Sequence, residues 1–148
     1  MHRKGKTDVW YYQSKHRFAG FATTINGENL ILLDYLAVIE NARGRGIGSR
    51  ILQHLTNHYS GKGFFVEIES EIEETTDQAE RIRRKQFYLR NGMEPSHVMA
   101  SVFGVKMELL CKGCCVDFNR YHAFYRDNYS PWAASNIVEA EYPRKKQP

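Results

Sequence analysis

No uninterrupted apolar run in these 148 residues approaches the roughly 20 that a membrane-spanning helix needs. The basic start Met1-His2-Arg3-Lys4 is likewise not followed by the apolar stretch of a secretory leader. A soluble, cytoplasmic chain with no membrane partner is expected. Cysteine is scarce: the three present, Cys111, Cys114 and Cys115, form an odd, clustered set that does not suit the disulfide framework of a small secreted domain. A Cys-x-x-Cys spacing can ligate zinc, but zinc wants a second ligand pair at a fixed distance, and downstream His122 stands alone. Reduced thiols at a strand end, and no metal, are expected. Internal repeats and low-complexity linkers are also lacking, and the length suits one ordinary core without a second full domain.

Charge is present with a modest positive excess, 21 Lys and Arg against 17 Asp and Glu, for a net +4 and a pI near 9.0. Such a balance can hold a polyanion by neutralising its phosphates. The basic residues, however, gather in Met1 to Lys6, Arg81 to Lys85 and Arg144 to Lys146, and the first and last of these are terminal tails. Nucleic acid is therefore disfavoured, since a phosphorylated cofactor accounts for the middle group equally well.

Aromatic, aliphatic and β-branched residues dominate Asp8 to Tyr12, Arg17 to Thr24 and Asn29 to Val38, and Asn26-Gly27 is a two-residue hairpin signal, so consecutive antiparallel strands are predicted. After a loop from Glu40 to Arg45, Ile47, Ile51, Leu52, Leu55 and Tyr59 recur at helical spacing, and Gly61-Lys62-Gly63 closes the helix. Phe64 to Ile72 reads as a strand parallel to Asn29 to Val38, because strand, helix, strand at this length is a βαβ crossover. A second helix begins at a capping-box-like pair, Asp77 and Glu80, and ends at Asn91-Gly92. Strands Val98 to Phe103 and Lys106 to Cys111 follow, then an amphipathic helix carrying Phe118, Tyr121, Phe124 and Tyr125, and a frayed end from Ala140 to Pro148. The fold class is α+β, one domain with a mixed, mostly antiparallel sheet, a core over about 8–112 and a C-terminal extension over about 113–148.

Arg43-Gly44-Arg45-Gly46-Ile47-Gly48-Ser49 lies between a strand and the first turn of a helix, where backbone amides have no intrahelical partner and the dipole is positive. Glycines there let the main chain approach a diphosphate, and Arg43 and Arg45 add charge. Three phosphate motifs compete. A P-loop needs a Lys before its Ser or Thr, and Gly48 precedes Ser49 here. A dinucleotide fingerprint needs G-x-G-x-x-G with an acid about 20 residues on; Glu67 fits the distance, but the glycines run G-x-G-x-G. The third pattern, R-x-x-G-x-G, is matched by Arg43, Gly46 and Gly48.

On these residues the chain resembles the GNAT superfamily of acyl-CoA N-acyltransferases. Leu36-Ala37-Val38 with Arg43 to Ser49 looks like the family's cofactor strand, pyrophosphate loop and helix, and Phe87-Tyr88-Leu89-Arg90-Asn91-Gly92-Met93 looks like its F-Y-x-x-x-G-F segment. The likeness covers roughly Asp8 to Cys111. It implies a parallel strand pair that splays, with Leu36 and Val38 bonding the pantetheine of acetyl-CoA and the amides of Gly44 to Ser49 holding its pyrophosphate. It further implies acetyl transfer to a primary amine by direct attack in a ternary complex. A non-catalytic acyl-CoA-binding or regulatory module is the alternative, and it would need neither Tyr88 nor a base.

The resemblance makes Tyr88 the acid that protonates the departing thiolate. Arg81, Arg84 and Tyr88 fall on one helical stripe, read as facing away from a core stripe of Ala79, Ile82, Gln86 and Leu89; Arg81 or Arg84 then reaches cofactor phosphate or lies on a solvated face. For the base, Asp34 lies two and four residues before Leu36 and Val38, hence on their side of a regular strand. Glu67, Glu69, Glu71 and Glu73 alternate with Val66, Ile68, Ser70 and Ile72, placing carboxylates on one face, where a cationic amine or solvent would relieve their repulsion; Glu69 is taken to represent them. Family members usually carry a strand and two helices ahead of the first strand seen here. A partner subunit, as in a homodimer, a truncated start, or the aromatic C-terminal extension would account for the missing acceptor wall. The acceptor itself, small molecule or peptide, stays open.

Overall fold

In the computed structural model, which describes residues 6–72, 75–114 and 116–143, alternating residues in the first third of the chain build an antiparallel meander. Strands β1 (Lys6–Ser14), β2 (Arg17–Asn26) and β3 (Leu30–Val38) follow one another. Asn26-Gly27 does stand at the β2–β3 reversal, where Gly27 N–H donates to the Leu30 carbonyl (2.8 Å), and a further tight turn, at Lys15-His16, has both residues at positive φ, the conformation that matches strand twist in a two-residue hairpin. At Gly27 the reason for glycine is space: a Cβ would stand 2.8 Å from the Phe124 ring.

A 3-10 turn (Glu40–Ala42) leads to helix α1 (Ile47–His58), whose Ile47, Ile51, Leu52 and Leu55 are buried as the periodicity predicts. Strand β4 (Gly63–Glu69) then pairs in parallel with β3. It ends at Glu69 rather than Ile72. Helix α2 (Gln78–Arg90) starts at Asp77, but no capping box forms, because the Asp77 carboxylate accepts from Thr75 and pairs with Arg81 instead. Strands β5 (Glu94–Val102) and β6 (Val105–Lys112) complete the arm.

Beyond Gly113 the chain is more ordered than its sequence suggested. Helix α3 (Phe118–Asn128) is capped by Asp117, short helix α4 (Pro131–Ser135) by Ser130 with Pro131 at its first turn, and strand β7 (Ile137–Ala140) pairs with β5. Ser130-Pro131 was a readable helix start; a four-residue edge strand left no comparable signal. Within the frayed end expected from Ala140, residues 144–148 lie outside the described residues, as do Glu73 and Cys115.

Among the described residues the sheet has seven strands in the order β1-β2-β3-β4-β6-β5-β7, with only β3 and β4 parallel. Its two faces carry separate cores. On one, α1 and α2 cover Ile31, Leu33, Val66 and Ile68; on the other, α3 covers Leu30, Leu32, Phe65 and Leu109. Central β4 is buried on both faces, which is why it reads as an apolar run rather than an alternation. Among the described residues no helix is long and apolar enough to cross a membrane.

Candidate active site

Pairing between β3 and β4 runs only from Leu30 and Gly63 to Leu33 and Val66. Beyond that point β3 continues to Val38 alongside β2, while β4 continues to Glu69 alongside β6. The strands therefore part, as expected. At the fork Thr24 pairs with Leu33 but Thr23 with Tyr35, which makes Asp34 an extra residue, a β-bulge.

The bulge corrects the reading of Asp34. Leu33, Leu36 and Val38 all pack toward α1 and α2, whereas Asp34 accepts a hydrogen bond from Tyr129 Oη (3.3 Å) on the α3 side. Period-two alternation fails across the extra residue, so Asp34 is on the face opposite Leu36 and Val38. The main chain of the cofactor strand is oriented as the reading requires. Ile39 N–H donates to Ala19 C=O (2.8 Å), so alternation turns Ala37 toward β2 and the amides and carbonyls of Leu36 and Val38 toward the opened side. The Val38 carbonyl, however, already accepts from Arg43 Nε at 3.1 Å.

At the end of the fork, Gly44 and Gly46 have φ of 78° and 71°, the left-handed region, and Cβ atoms there would meet nothing within 4 Å. Gly46 is the N-cap of α1, and no side chain caps the helix. The amides of Ile47, Gly48 and Ser49 thus begin a helix without intrahelical partners, beside Arg43 and Arg45. This concave, uncapped, basic turn fits a diphosphate.

One cavity lies beside the glycine turn and another in the fork. The larger, of about 670 Å³, lies between the β1–β2 turn and the start of α1 and includes Lys15, Arg17 and Arg45. Its ionisable lining is cationic, which suits a phosphate group but offers no base. Sequence reading missed Lys15 and Arg17, because only the folded hairpin brings them to Arg45. The smaller, of about 340 Å³, occupies the fork itself and is lined by Leu33, Asp34, Tyr35, Leu36, Val66, Glu67, Glu69, Arg84, Tyr88 and Met107. This lining carries the carboxylates and the phenol suited to acid–base chemistry.

Helix α2 turns an unexpected face inward. Tyr88 is its buried residue, 7% exposed, and Arg81 is mostly covered, whereas Ala79 and Gln86 of the supposed core stripe are exposed. Paired charges replace apolar contacts. Arg81 bonds Glu69 (2.6 Å), Asp77 (3.1 Å) and the Ser70 carbonyl (3.2 Å), and Lys85 bonds Glu71 (3.1 Å) and buried Glu108 (2.9 Å). Glu69 and Glu71 are therefore neutralised from within the protein rather than left for a cationic substrate. Glu69 is clamped by Arg81, with Arg84 at 4.0 Å, so its carboxylate is already committed to guanidinium partners. Arg81 is committed to β4 rather than to the glycine turn.

Glu67 differs. Its carboxylate accepts a short hydrogen bond from Tyr125 Oη, and burial, aided by the charge of Asp34, pushes its pKa up to about 7. Burial also pushes Tyr88 up to about 12, so its phenol is protonated at neutral pH. Among the described residues the Tyr88 hydroxyl makes no hydrogen bond. No group of three or more His, Cys, Asp and Glu that could hold a metal occurs among them. Cys111 is in β6 and Cys114 just past its end.

The fork, the glycine turn and the helix bearing Tyr88 all fall within residues 5–95, which match the sequence model of the acetyltransferase (GNAT) domain. The chain belongs to the GNAT acetyltransferase family. It is 32% identical over 88 residues to a Bacillus subtilis (strain 168) protein named "Putative acetyltransferase YjbC"; that match covers 59% of this chain and 42% of YjbC, so the chain spans about two fifths of that relative. The GNAT fold is also that of a Bacteroides thetaiotaomicron protein assigned to the family (TM-score 0.62, 20% identity, 84% of this chain and 73% of that one). An aminoglycoside 6'-N-acetyltransferase solved with coenzyme A shares it too (TM-score 0.56, 15% identity, 72% of each chain).

Two consequences are measurable. Arg81→Ala should cost about 2 kcal/mol of stability, because it leaves Glu69 without its closest cation. Affinity for CoA should stay nearly the same. Denaturant melts and calorimetric titration check both; weaker CoA binding at unchanged stability would return Arg81 to the cofactor. Gly46→Val puts a β-branched residue in the left-handed region and directs bulk at the turn. CoA affinity should fall on the order of 10- to 100-fold, the equivalent of one or two charge-assisted hydrogen bonds. Native affinity in a folded variant would remove the diphosphate from this turn.

Proposed function

We propose that the protein transfers acetyl from acetyl-CoA to a primary amine by direct attack in a ternary complex at the fork between β3 and β4. The observation that carries this reading is the single cleft that brings an unpaired phenol and a carboxylate of raised pKa to opened main-chain groups, with an anion turn at its end.

Leu36 and Val38 amides hold the pantetheine arm, the turn from Arg43 to Ser49 holds the pyrophosphate, and Lys15 and Arg17, which share a cavity with Arg45, are the cations that would meet the cofactor's remaining phosphate. Bound acetyl-CoA supplies an activated thioester carbonyl. Glu67 accepts the proton that the amine must lose to become nucleophilic. Tyr88 donates its phenolic proton to the departing sulfur and is reprotonated, through water, by the proton that the nitrogen sheds on becoming an amide, while Glu67 returns its proton to solvent. Glu67 takes the role assigned to Glu69, because Arg81 already neutralises Glu69. Asp34 stands at the mouth on the acceptor side, where it can orient a positively charged amine. Positioning in this cleft does most of the work, so no covalent enzyme intermediate is needed.

The test is thiol release from acetyl-CoA with a panel of polyamines, aminoglycosides, amino acids and peptides. Amine-dependent release is expected; CoA binding with no release from any amine would make the chain a binding module.

A further inference from the structure

Glu67 and Asp34 line the cleft without a cationic partner among the described residues, and each instead accepts from a tyrosine of the C-terminal helix. Tyr121, Tyr125 and Tyr129 follow at four-residue spacing and so form one stripe along α3 and its cap. Tyr125 is held between its neighbours. Its ring meets Tyr121 edge to face at 5.3 Å and stacks on Tyr129 at 4.7 Å, with planes 11° apart. A ring fixed on both sides aims its hydroxyl in one direction, and that direction is Glu67 Oε1.

We propose that Tyr125 is a positioning residue for acyl transfer: by occupying Oε1 of Glu67 it leaves Oε2 to meet the acceptor amine. Helix α3 thereby becomes the acceptor-side wall of the active site. This rests on the acyl-transfer reading above. Helix α3 packs on the sheet face opposite α1 and α2 and reaches the fork from there.

The bond has a titration signature. Facing Glu67 are Asp34 from β3 and Tyr121, Tyr125 and Tyr129 from α3, while Glu69 of β4 and Arg84 and Tyr88 of α2 line the same cleft. Burial and the Asp34 charge favour the neutral acid, whereas phenolic bonds, the lesser from Tyr121 and the greater from Tyr125, favour the carboxylate. Removing the Tyr125 donor therefore raises the Glu67 midpoint. A base that must be ionised then loses activity from a higher pH downward.

The experiment compares wild type with Tyr125→Phe, which keeps the ring stack. Carbon-13 NMR follows the Glu67 carboxyl in the apo protein, assigned with Glu67→Gln, and kcat/KM for the amine is measured against pH. The Glu67 midpoint and the acid limb should move up together by about one pH unit, giving a loss roughly tenfold larger at pH 6.5 than at pH 9. KM for acetyl-CoA should not change. Tyr129→Phe, which lacks the bond to Asp34 instead, should move the midpoint far less. Should Tyr125→Phe fold poorly, 3-fluorotyrosine at the same position is a stronger donor and should move the midpoint down. An unmoved Glu67 titration, or a loss equal at every pH, would overturn the proposal. Failure of the acyl-transfer reading shows separately, as a wild type without turnover, because the NMR comparison needs no substrate.

Discussion

Glu67→Gln is expected to lower kcat/KM for the amine by about 100- to 10,000-fold, the range of a lost general base. Glutamine keeps the shape and still accepts the Tyr125 hydroxyl, so the variant removes proton affinity and little else. In the wild type the acid limb of the pH profile should lie near 7, where Glu67 titrates. In the variant that limb should vanish, leaving the rise set by the amine's own deprotonation. Stability should respond with the opposite sign. The folded pKa of Glu67 lies above its unfolded value, so the native state binds the extra proton between about 4.5 and about 7, and stability falls as pH rises through that window. A neutral isostere escapes this loss. At pH 8 Glu67→Gln should therefore be more stable than wild type, by an amount on the order of 1–3 kcal/mol. Loss of rate with gain of stability is hard to produce by misfolding. Native kcat/KM in the variant would hand the base role to Asp34 or to water.

Local chemistry in the sequence accounts for much of the fold. The apolar period of α1, the glycines of the turn before it and the apolar run of β4 depend on neighbours in the chain, and each appears where its pattern predicts except that β4 stops at Glu69, short of Ile72. The misread features depend on distant partners. Asp34 changed faces because β3 bulges against β2, a matter of pairing that no alternation within β3 reveals. Arg81 and Lys85 turned inward because Glu69, Glu71 and Glu108 await them there, and hydrophobic periodicity does not register charges that are buried as pairs. Glu67 was one of four equivalent carboxylates until Tyr125, 58 residues away, singled it out. The aromatic stripe of α3 was legible as a packing face. Its second use, against the cleft, needed the fold.

Tyr88→Phe is expected to lower kcat on the order of 10- to 1000-fold while leaving KM for acetyl-CoA nearly unchanged. The phenol is buried in the wall of the cleft, yet its hydroxyl has no hydrogen-bond partner among the described residues. A polar group without a partner contributes nothing to the fold that phenylalanine would lose. The variant should accordingly melt at or slightly above the wild-type temperature, which separates a chemical role from a packing one. Burial pushes the phenol up to about 12, against the partial opposition of Arg84. Tyr88 therefore stays protonated through the whole working range, and its loss should scale the pH profile down without moving the limb near 7 that belongs to Glu67. The two substitutions thus leave different signatures, one erasing a limb and the other lowering the plateau. Acceptors whose own deprotonation limits the rate will mask the effect, so the comparison belongs at an amine concentration and pH where thiol release is limiting. Native kcat in Tyr88→Phe would mean that solvent reaches the sulfur and protonates it. Native kcat with raised KM would make Tyr88 a contact for the cofactor alone.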